Sequence, residues 1–310
     1  MKDFKSWGVK IRNLEDYNYH AIWHNLKTIR LGNSKNDIIE LPPDLSEFYD
    51  IGITTKCNAE CSFCYVSASN KGENFENICE LWKSWIGKYP EKKEHNVTYT
   101  LKPFQIAIGS TGEPTVHPHF CKFLETVYET NVVPNYTTNG IIISDWRNPW
   151  CEEILEATYN FVGGVAVSFG NRSLREKAIF AVRNLLNYGG CKVMIHHLIY
   201  DKESVDDFIL IAKNYGKDIH YHVLLPLMAH GRSESKIEDG VFEYLEEQIY
   251  KNGISNVAFG ANFYSQLEGS KIPVDIYPQE AYSKNVILNK KIIITPSSFN
   301  LAPIKEINVL

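Results

Sequence analysis

Three cysteines, Cys57, Cys61 and Cys64, lie within eight residues of the chain, in the segment CNAECSFC. Seven cysteines among 310 residues would rarely produce this CxxxCxxC spacing by chance, and thiolates gathered in one loop bind metals. Structural zinc usually takes four protein ligands as two separated pairs, and this segment lacks a fourth. Three thiolates on a cubane iron–sulfur cluster leave one iron open to a substrate or cofactor. The segment therefore indicates an iron–sulfur centre that does chemistry rather than one that only carries electrons.

The other four cysteines are isolated along the chain: Cys79, Cys121, Cys151 and Cys191. Each is expected to be a small, buried hydrophobic residue. The cysteine count is odd, and the N-terminal segment MKDFK leads into polar residues without the apolar core of a signal peptide. We therefore expect thiols and metal ligands rather than disulfides, in a cytoplasmic protein.

The composition is that of an ordinary globular protein, with 44% hydrophobic and 22% charged residues, which excludes collagen-like and disordered chains. The formal net charge of -5 gives no overall positive field, so nucleic acid is not an expected partner. No stretch approaches the roughly 20 apolar residues of a membrane span, so no membrane partner is expected either.

Between about residues 48 and 253, apolar runs typical of strands alternate with runs of helical periodicity. The predicted strands are Phe48–Thr54, Phe104–Gly109, Val132–Thr137, Val165–Phe169, Lys192–Ile199 and Ile219–Leu225. The predicted helices are 75–88, 119–130, 150–159, 174–187, 203–214 and 241–250. This alternation predicts an α/β fold, a partial (β/α)6 TIM-like barrel. Reactive groups in such barrels gather at the carboxyl ends of the strands, and the cysteine segment directly follows the first strand.

Three domain ranges are expected: an N-terminal extension over 1–45, the barrel over 46–253 and a small β-rich C-terminal cap over 254–310. In the cap, strands are predicted at 274–277, 286–288 and 292–294, and the last two form an antiparallel hairpin through Asn289 and Lys290.

Polar turns follow the next strands of the predicted barrel. The second strand leads into Thr111-Gly112-Glu113-Pro114, the third into Thr138-Asn139-Gly140, and the fourth ends near Ser168. Any one of these segments alone would be an ordinary turn or strand end. Following successive strands after a cysteine loop, they are expected at one catalytic face.

These residues resemble the radical S-adenosylmethionine (SAM) superfamily, over about residues 48 to 230. The resemblance rests on CxxxCxxC with an aromatic residue before the third cysteine, on Thr-Gly-Glu-Pro in place of the family's GGEP motif, and on a TNG turn. Thr111 stands where the family usually has its first glycine. The subfamily resembled lacks auxiliary clusters of the SPASM type, because no cysteine follows Cys191.

The resemblance implies a [4Fe-4S] cluster on Cys57, Cys61 and Cys64, with SAM bound at the fourth iron. It further implies oxygen sensitivity and a reducing partner such as flavodoxin or ferredoxin. The SAM-binding residues it suggests are the following: Phe63, Tyr65, Thr111, Gly112, Glu113, Pro114, Asn139, Ser168 and Leu225. In that set the glycine would let the backbone approach the methionyl ammonium, and the glutamate would offset its positive charge.

Several residues stay open at this level. Of His196 and His197, which are neighbours on the fifth strand, only one can point into the barrel. His230 and Arg232 follow the sixth strand, where a cation could bind the SAM carboxylate or an anionic substrate group, or could lie in a solvated loop. No catalytic residue is assigned.

The expected function is that of an enzyme that cleaves SAM reductively and abstracts a hydrogen from a peptide or protein side chain. A small metabolite or nucleotide is the alternative substrate. In another functional class, the chain could be an iron–sulfur electron carrier or a zinc-stabilised binding module, but neither explains the polar turns after successive strands.

Overall fold

The computed structural model describes residues 2–31, 41–233, 236–260, 263, 283–297 and 303–308. Its helices are α1 (Ile78–Ile86), α2 (Phe120–Glu129), α3 (Pro149–Phe161), α4 (Arg175–Tyr188), α5 (Lys202–Tyr215) and α6 (Val241–Asn252). Its strands are β1 (Val9–Leu14), β2 (Tyr19–His24), β3 (Lys27–Leu31), β4 (Phe48–Gly52), β5 (Glu91–Glu94), β6 (Val97–Thr100), β7 (Gln105–Ile108), β8 (Val133–Thr138), β9 (Gly164–Phe169), β10 (Lys192–Ile199), β11 (Tyr221–Pro226), β12 (Val257–Phe259), β13 (Ser283–Asn289), β14 (Lys291–Thr295) and β15 (Lys305–Ile307).

The main sheet has the strand order β12-β11-β10-β9-β8-β7-β4-β13-β14-β15. From β12 to β13 every pair of neighbours is parallel, and the last two pairings are antiparallel. The edge strands β12 and β15 do not pair with each other, so the described sheet is an open, partial barrel. The α/β class, the six predicted strands and the six predicted helices are confirmed, with ends that agree within three residues.

Side chains alternate along the parallel strands between an outer apolar face and an inner face of small or polar residues. The outer residues, such as Ile51, Ile106 and Val165, are fully buried in the core beneath the helices. The inner residues include Ala107 and Gly164, which leave space inside the barrel. This alternation places the cavity on the concave side of the sheet.

Helix starts are fixed by local capping. Asn148 accepts a hydrogen bond from the backbone N–H of Trp150, and Pro149 occupies the first turn of α3. Asp201 and Ser204 form a reciprocal capping box at the start of α5. None of the described helices is long and apolar enough to span a bilayer.

A second sheet, of order β3-β2-β1-β6-β5, is built from two distant parts of the sequence. The N-terminal strands β1 to β3 form a meander, and β1 pairs in parallel with β6, which belongs to a hairpin between α1 and β7. Trp23 and Tyr19 are buried against Phe104, which immediately precedes β7. The N-terminal segment therefore packs on the barrel through an insertion.

The predicted C-terminal hairpin is confirmed as β13 and β14, joined at Lys290 in a left-handed conformation (φ 58°). It extends the barrel sheet, because β13 pairs in parallel with β4. The predicted strand at 274–277 lies outside the described residues. The division into three domain ranges stays a prediction.

Candidate cofactor and substrate site

A cavity of about 830 Å³ occupies the inside of the partial barrel and reaches the cysteine loop at the carboxyl end of β4. Most of the predicted site residues line it: Cys57, Cys61, Phe63, Cys64, Tyr65, Gly112, Glu113, Asn139, Ser168 and Leu225. Thr111 and Pro114 are buried behind this wall rather than in it. The chain thus brings the cysteines and the polar turns to one cavity.

The cysteine loop is held by its own backbone. Cys57 donates its N–H to the carbonyl of Ser69 at 2.8 Å, and Cys64 donates to the carbonyl of Cys61 at 3.2 Å. Lys56 and Ser69 form an isolated parallel bridge, which closes the base of the loop. These contacts fix the loop from Cys57 to Cys64 relative to the end of β4.

Amide groups point at two of the three sulfur atoms. Asn171 Nδ2 donates to Cys61 Sγ at 3.3 Å, Asn139 Nδ2 donates to Cys57 Sγ at 3.8 Å, and the backbone N–H of Ala59 lies 3.5 Å from Cys57 Sγ. Donors of this kind favour the thiolate and tune the potential of an iron–sulfur cluster. The chemistry of this donor set fits a cluster.

Burial raises the pKa of Cys57 and of Cys61, and the amide donors partly oppose that rise. Within the described ranges, no three His, Cys, Asp or Glu side chains lie close enough to hold a single metal ion. A cubane cluster does not need three side chains around one ion, because each thiolate binds a different iron atom.

The segment of His230, Gly231 and Arg232, after β11, clamps the cysteine loop. Arg232 donates from Nε and Nη2 to the carbonyl of Cys61, at 3.2 and 3.0 Å, and from Nη2 to the carbonyl of Ala68 at 2.7 Å. Its backbone N–H donates to the carbonyl of Cys64 at 3.0 Å. The guanidinium of Arg232 is therefore bound through Nε and Nη2 to backbone carbonyls of the cysteine loop.

The two residues that precede Arg232 also hold the cysteine loop. His230 Nδ1 lies 3.0 Å from the carbonyl of Tyr65. Gly231 has φ 62°, and a Cβ there would lie 2.3 Å from the same carbonyl oxygen and 2.5 Å from that of Cys64. Only glycine permits this close approach of the two backbones.

Glu113 joins the ends of β7 and β8. Its carboxylate accepts hydrogen bonds from Thr115 N (3.2 Å) and Oγ1 (2.6 Å), from Thr138 Oγ1 (2.8 Å) and from Asn139 N (2.7 Å). Burial raises the pKa of Glu113, and these donors oppose that rise. The carboxylate lines the cavity and is held by these donors, and its role in offsetting the positive charge of SAM stays a prediction.

Gly112 and Thr111 pack the turn after β7 against the chain that enters the cysteine loop. A Cβ at Gly112 would lie 2.6 Å from the carbonyl oxygen of Thr54 and 2.7 Å from that of Lys56. Thr111 Oγ1 donates to the Thr54 carbonyl at 2.8 Å, and its side chain fills the space beside Gly52. The threonine that departs from the family motif is therefore accommodated by a glycine on β4.

His196 is the inward-facing member of the histidine pair. It lines the cavity and lies beside Ser168 in the register of β9 and β10. Burial lowers the pKa of His196 to about 4, so this imidazole is neutral at physiological pH. His197 faces the helices, and its Nε2 lies 3.0 Å from Nδ1 of the buried His222. On β11, Leu224 faces the helices as His197 does, and it belongs to the outer core.

Two cavity residues escaped the sequence analysis. Asn171, which contacts Cys61, lies just beyond β9. It could have been predicted, because reactive groups in such barrels gather at the carboxyl ends of the strands. Asp50 lies on the inner face of β4, and its signal is a lone carboxylate in an otherwise apolar strand.

No protein-family model matches the chain. Among curated proteins, 95 residues are 27% identical to the tungsten-containing aldehyde ferredoxin oxidoreductase cofactor-modifying protein of Pyrococcus furiosus. That match covers 30% of this chain and 24% of the relative.

Two crystal structures of Streptococcus suis SuiB share the fold. The one bound to S-adenosylmethionine aligns with a TM-score of 0.58 at 14% identity, over 82% of this chain and 60% of SuiB. The one bound to the precursor peptide SuiA aligns with a TM-score of 0.59 at 16% identity, over 86% and 62%. The chain thus spans less than two thirds of SuiB. Likeness at these identities shows the fold alone.

Proposed function

We propose that the chain is a radical SAM enzyme that binds a [4Fe-4S] cluster, cleaves S-adenosylmethionine reductively and abstracts a hydrogen atom from its substrate. The observation that carries this proposal is the loop of Cys57, Cys61 and Cys64, which faces the same cavity as the turns after β7 and β8. The fold shared with a SAM-bound structure supports it. An electron carrier or a zinc module would not need this cavity beside its cysteines.

When bound, a reduced cluster would supply the electron for the reductive cleavage of SAM, and bound SAM would supply the hydrogen-abstracting chemistry. The residues of the chain hold and shield these groups. Asn139 and Asn171 donate towards the sulfur atoms, and Arg232 fixes the loop that carries them. Phe63 and Leu225 offer apolar cavity wall for the adenine. Enclosure within the barrel keeps water and oxygen from a radical.

The substrate we propose is a peptide or protein side chain. SuiB, which shares the fold, has been crystallised with a precursor peptide. The cavity of about 830 Å³ is in the size range of small-molecule sites, so a side-chain-sized group beside SAM suits it better than a folded domain. A small molecule is the alternative, because the curated relative is named as a cofactor-modifying protein. A flavodoxin or ferredoxin is the proposed reductant, and the cytoplasm the proposed location.

The test is anaerobic reconstitution with iron and sulfide, followed by SAM and dithionite, with 5′-deoxyadenosine as the product measured. The wild type should be brown and form this product, and the variant Cys57→Ala, Cys61→Ala, Cys64→Ala should form none. Cys121→Ala, which changes a cysteine outside the loop, is the matched control and should keep the activity. A wild type that makes no more product than the triple variant, or that binds zinc without colour, would refute the proposal.

A further inference from the structure

Asp50 is a half-buried carboxylate without a partner. It lies on the inner face of β4 and lines the barrel cavity. In the described part of the chain its oxygens accept no hydrogen bond and form no ion pair. Burial raises the pKa of Asp50 to about 7, with no contribution from a neighbouring cation. A carboxylate that lines an internal cavity with neither a hydrogen-bond donor nor a cation beside it is destabilising, so a fold that keeps one indicates a ligand.

A second free acceptor lies beside Asp50. Asn285 on β13 is the register partner of Asp50, and it is 1% exposed. Thr295 Oγ1 donates to the carbonyl of Ser297, so it must accept from Asn285, whose Nδ2 lies 2.9 Å away. This arrangement fixes the orientation of the amide. Asn285 Oδ1 is consequently a buried acceptor without a partner.

The position of this pair within the barrel limits what it can bind. Asp50 precedes Gly52, the last residue of β4, by two positions, which places it roughly 7 Å deeper along the strand than the end that leads to the cysteine loop. Lys192 and Lys284 line the same cavity, but neither lowers the pKa of Asp50. Two acceptors that lack a donor match an ammonium or guanidinium group, which has only donors.

We propose that Asp50 and Asn285 form a subsite for a cationic nitrogen, so that the substrate carries an ammonium or guanidinium group at the end of an aliphatic arm. This inference rests on the proposed function, since it takes the cavity to be the substrate cavity. A cation held at this depth leaves the rest of the substrate directed towards the carboxyl ends of the strands, where the cysteine loop lies. The subsite selects by charge, and the apolar residues that line the cavity contact the aliphatic arm of the substrate.

The test measures equilibrium binding of pentylammonium, pentylguanidinium and neutral 1-pentanol to the reconstituted protein, by ligand-observed NMR with and without SAM. At least one of the two cations should bind the wild type about tenfold more tightly than 1-pentanol, because hydrogen bonds to a charged group are strong in a buried site. Asp50→Asn should reduce that preference to about twofold or less. Asp16→Asn, at an exposed carboxylate, is the matched control and should keep it.

Asp50→Asn removes an unpaired charge, so its unfolding temperature should equal or exceed that of the wild type. If that variant does not fold, Asn285→Ala provides the second measurement and should lower the preference several-fold. Equal binding of the cations and 1-pentanol by the wild type, or a preference that survives the substitution, would overturn the subsite. Selective cation binding without 5′-deoxyadenosine formation would overturn the proposed function alone. Formation of 5′-deoxyadenosine without selective cation binding would overturn the subsite alone.

Discussion

Arg232 shows how one side chain fixes the geometry of the cysteine loop from outside that loop. Its guanidinium reaches the carbonyls of Cys61 and Ala68, and its backbone N–H reaches that of Cys64. A guanidinium presents several donors in a rigid fork, which suits two carbonyls at once. We assign Arg232 as a positioning residue for the cysteine loop, which holds the proposed cluster.

Arg232→Lys should lower the iron bound after reconstitution several-fold, because one ammonium on a flexible stem cannot hold both carbonyls in the same geometry. The EPR signal of the iron that is bound should broaden, since the loop samples more conformations. Arg147→Lys is the matched control, because this exposed arginine pairs with Asp145 at the surface. Unchanged iron content and an unchanged spectrum in Arg232→Lys would contradict the assignment.

At the level of single residues, the sequence predicted the groups that belong to motifs and missed those that do not. The cysteine spacing and the turns at Gly112 and Asn139 are local patterns, and the structure brings them to one cavity. The carbonyl contacts of Arg232 join positions more than 160 residues apart, so no local pattern carries them. Asp50 was missed because an isolated acid in a strand has no motif.

At the level of elements, the strands β10 and β11 and the helix α5 meet at a pair of buried histidines. His197 and His222 lie 3.0 Å apart at their ring nitrogens, and Phe208 of α5 packs on both rings. Burial lowers the pKa of His222 to about 4 and that of His197 well below its ordinary value. The fold therefore keeps both imidazoles neutral, with one donating to the other.

This pair makes stability depend on pH. The folded pKa of each histidine lies below the unfolded value near 6.5, so its stabilising contribution is complete above pH 6.5 and is lost as the pH falls from 6.5 towards 4. We expect the pair to lower the free energy of unfolding at pH 5.5 by about 1 kcal/mol per histidine relative to pH 7.5. Chemical denaturation at both pH values measures this difference.

Between pH 7.5 and 5.5, the free energy of unfolding of the double variant His197→Leu, His222→Phe should fall by about 2 kcal/mol less than that of the wild type. The contributions of His196 and Asp50, whose pKa values burial also shifts, are the same in both proteins and cancel in this difference. His95→Gln, at an exposed histidine, should behave as the wild type does. A double variant whose free energy of unfolding falls with pH as steeply as that of the wild type would show that the pair is not the cause.

The local periodicity of the sequence was sufficient for the six βα units but not for strand pairing at a distance. The pairing of β1 with β6 joins residues about 9–11 to 97–99, and that of β13 with β4 joins 283–287 to 48–52. Such pairings depend on the tertiary structure, because the strand pattern itself does not encode a partner. The hairpin of β13 and β14 was predicted, since its two strands are separated by a single turn residue, Lys290.

At the scale of the whole molecule, the partial barrel separates two ends of one cavity. The cysteine loop, held by Arg232 and by the turns after β7 and β8, lies at the carboxyl ends of the strands. Asp50 and Asn285 lie deeper within the barrel. The small inner residues, such as Ala107 and Gly164, keep the space between the two ends open. We therefore expect the cofactor at one end of the cavity and a charged group of the substrate at the other.

We expect the three loop cysteines to leave one iron open for SAM, and EPR spectroscopy of the dithionite-reduced, reconstituted protein tests this most directly. Titration with SAM should change the spectrum and saturate at one SAM per chain, because a ligand binds the cluster itself. A spectrum that SAM leaves unchanged at every concentration would contradict the claim, since it would show that no iron of the cluster is open to the cofactor.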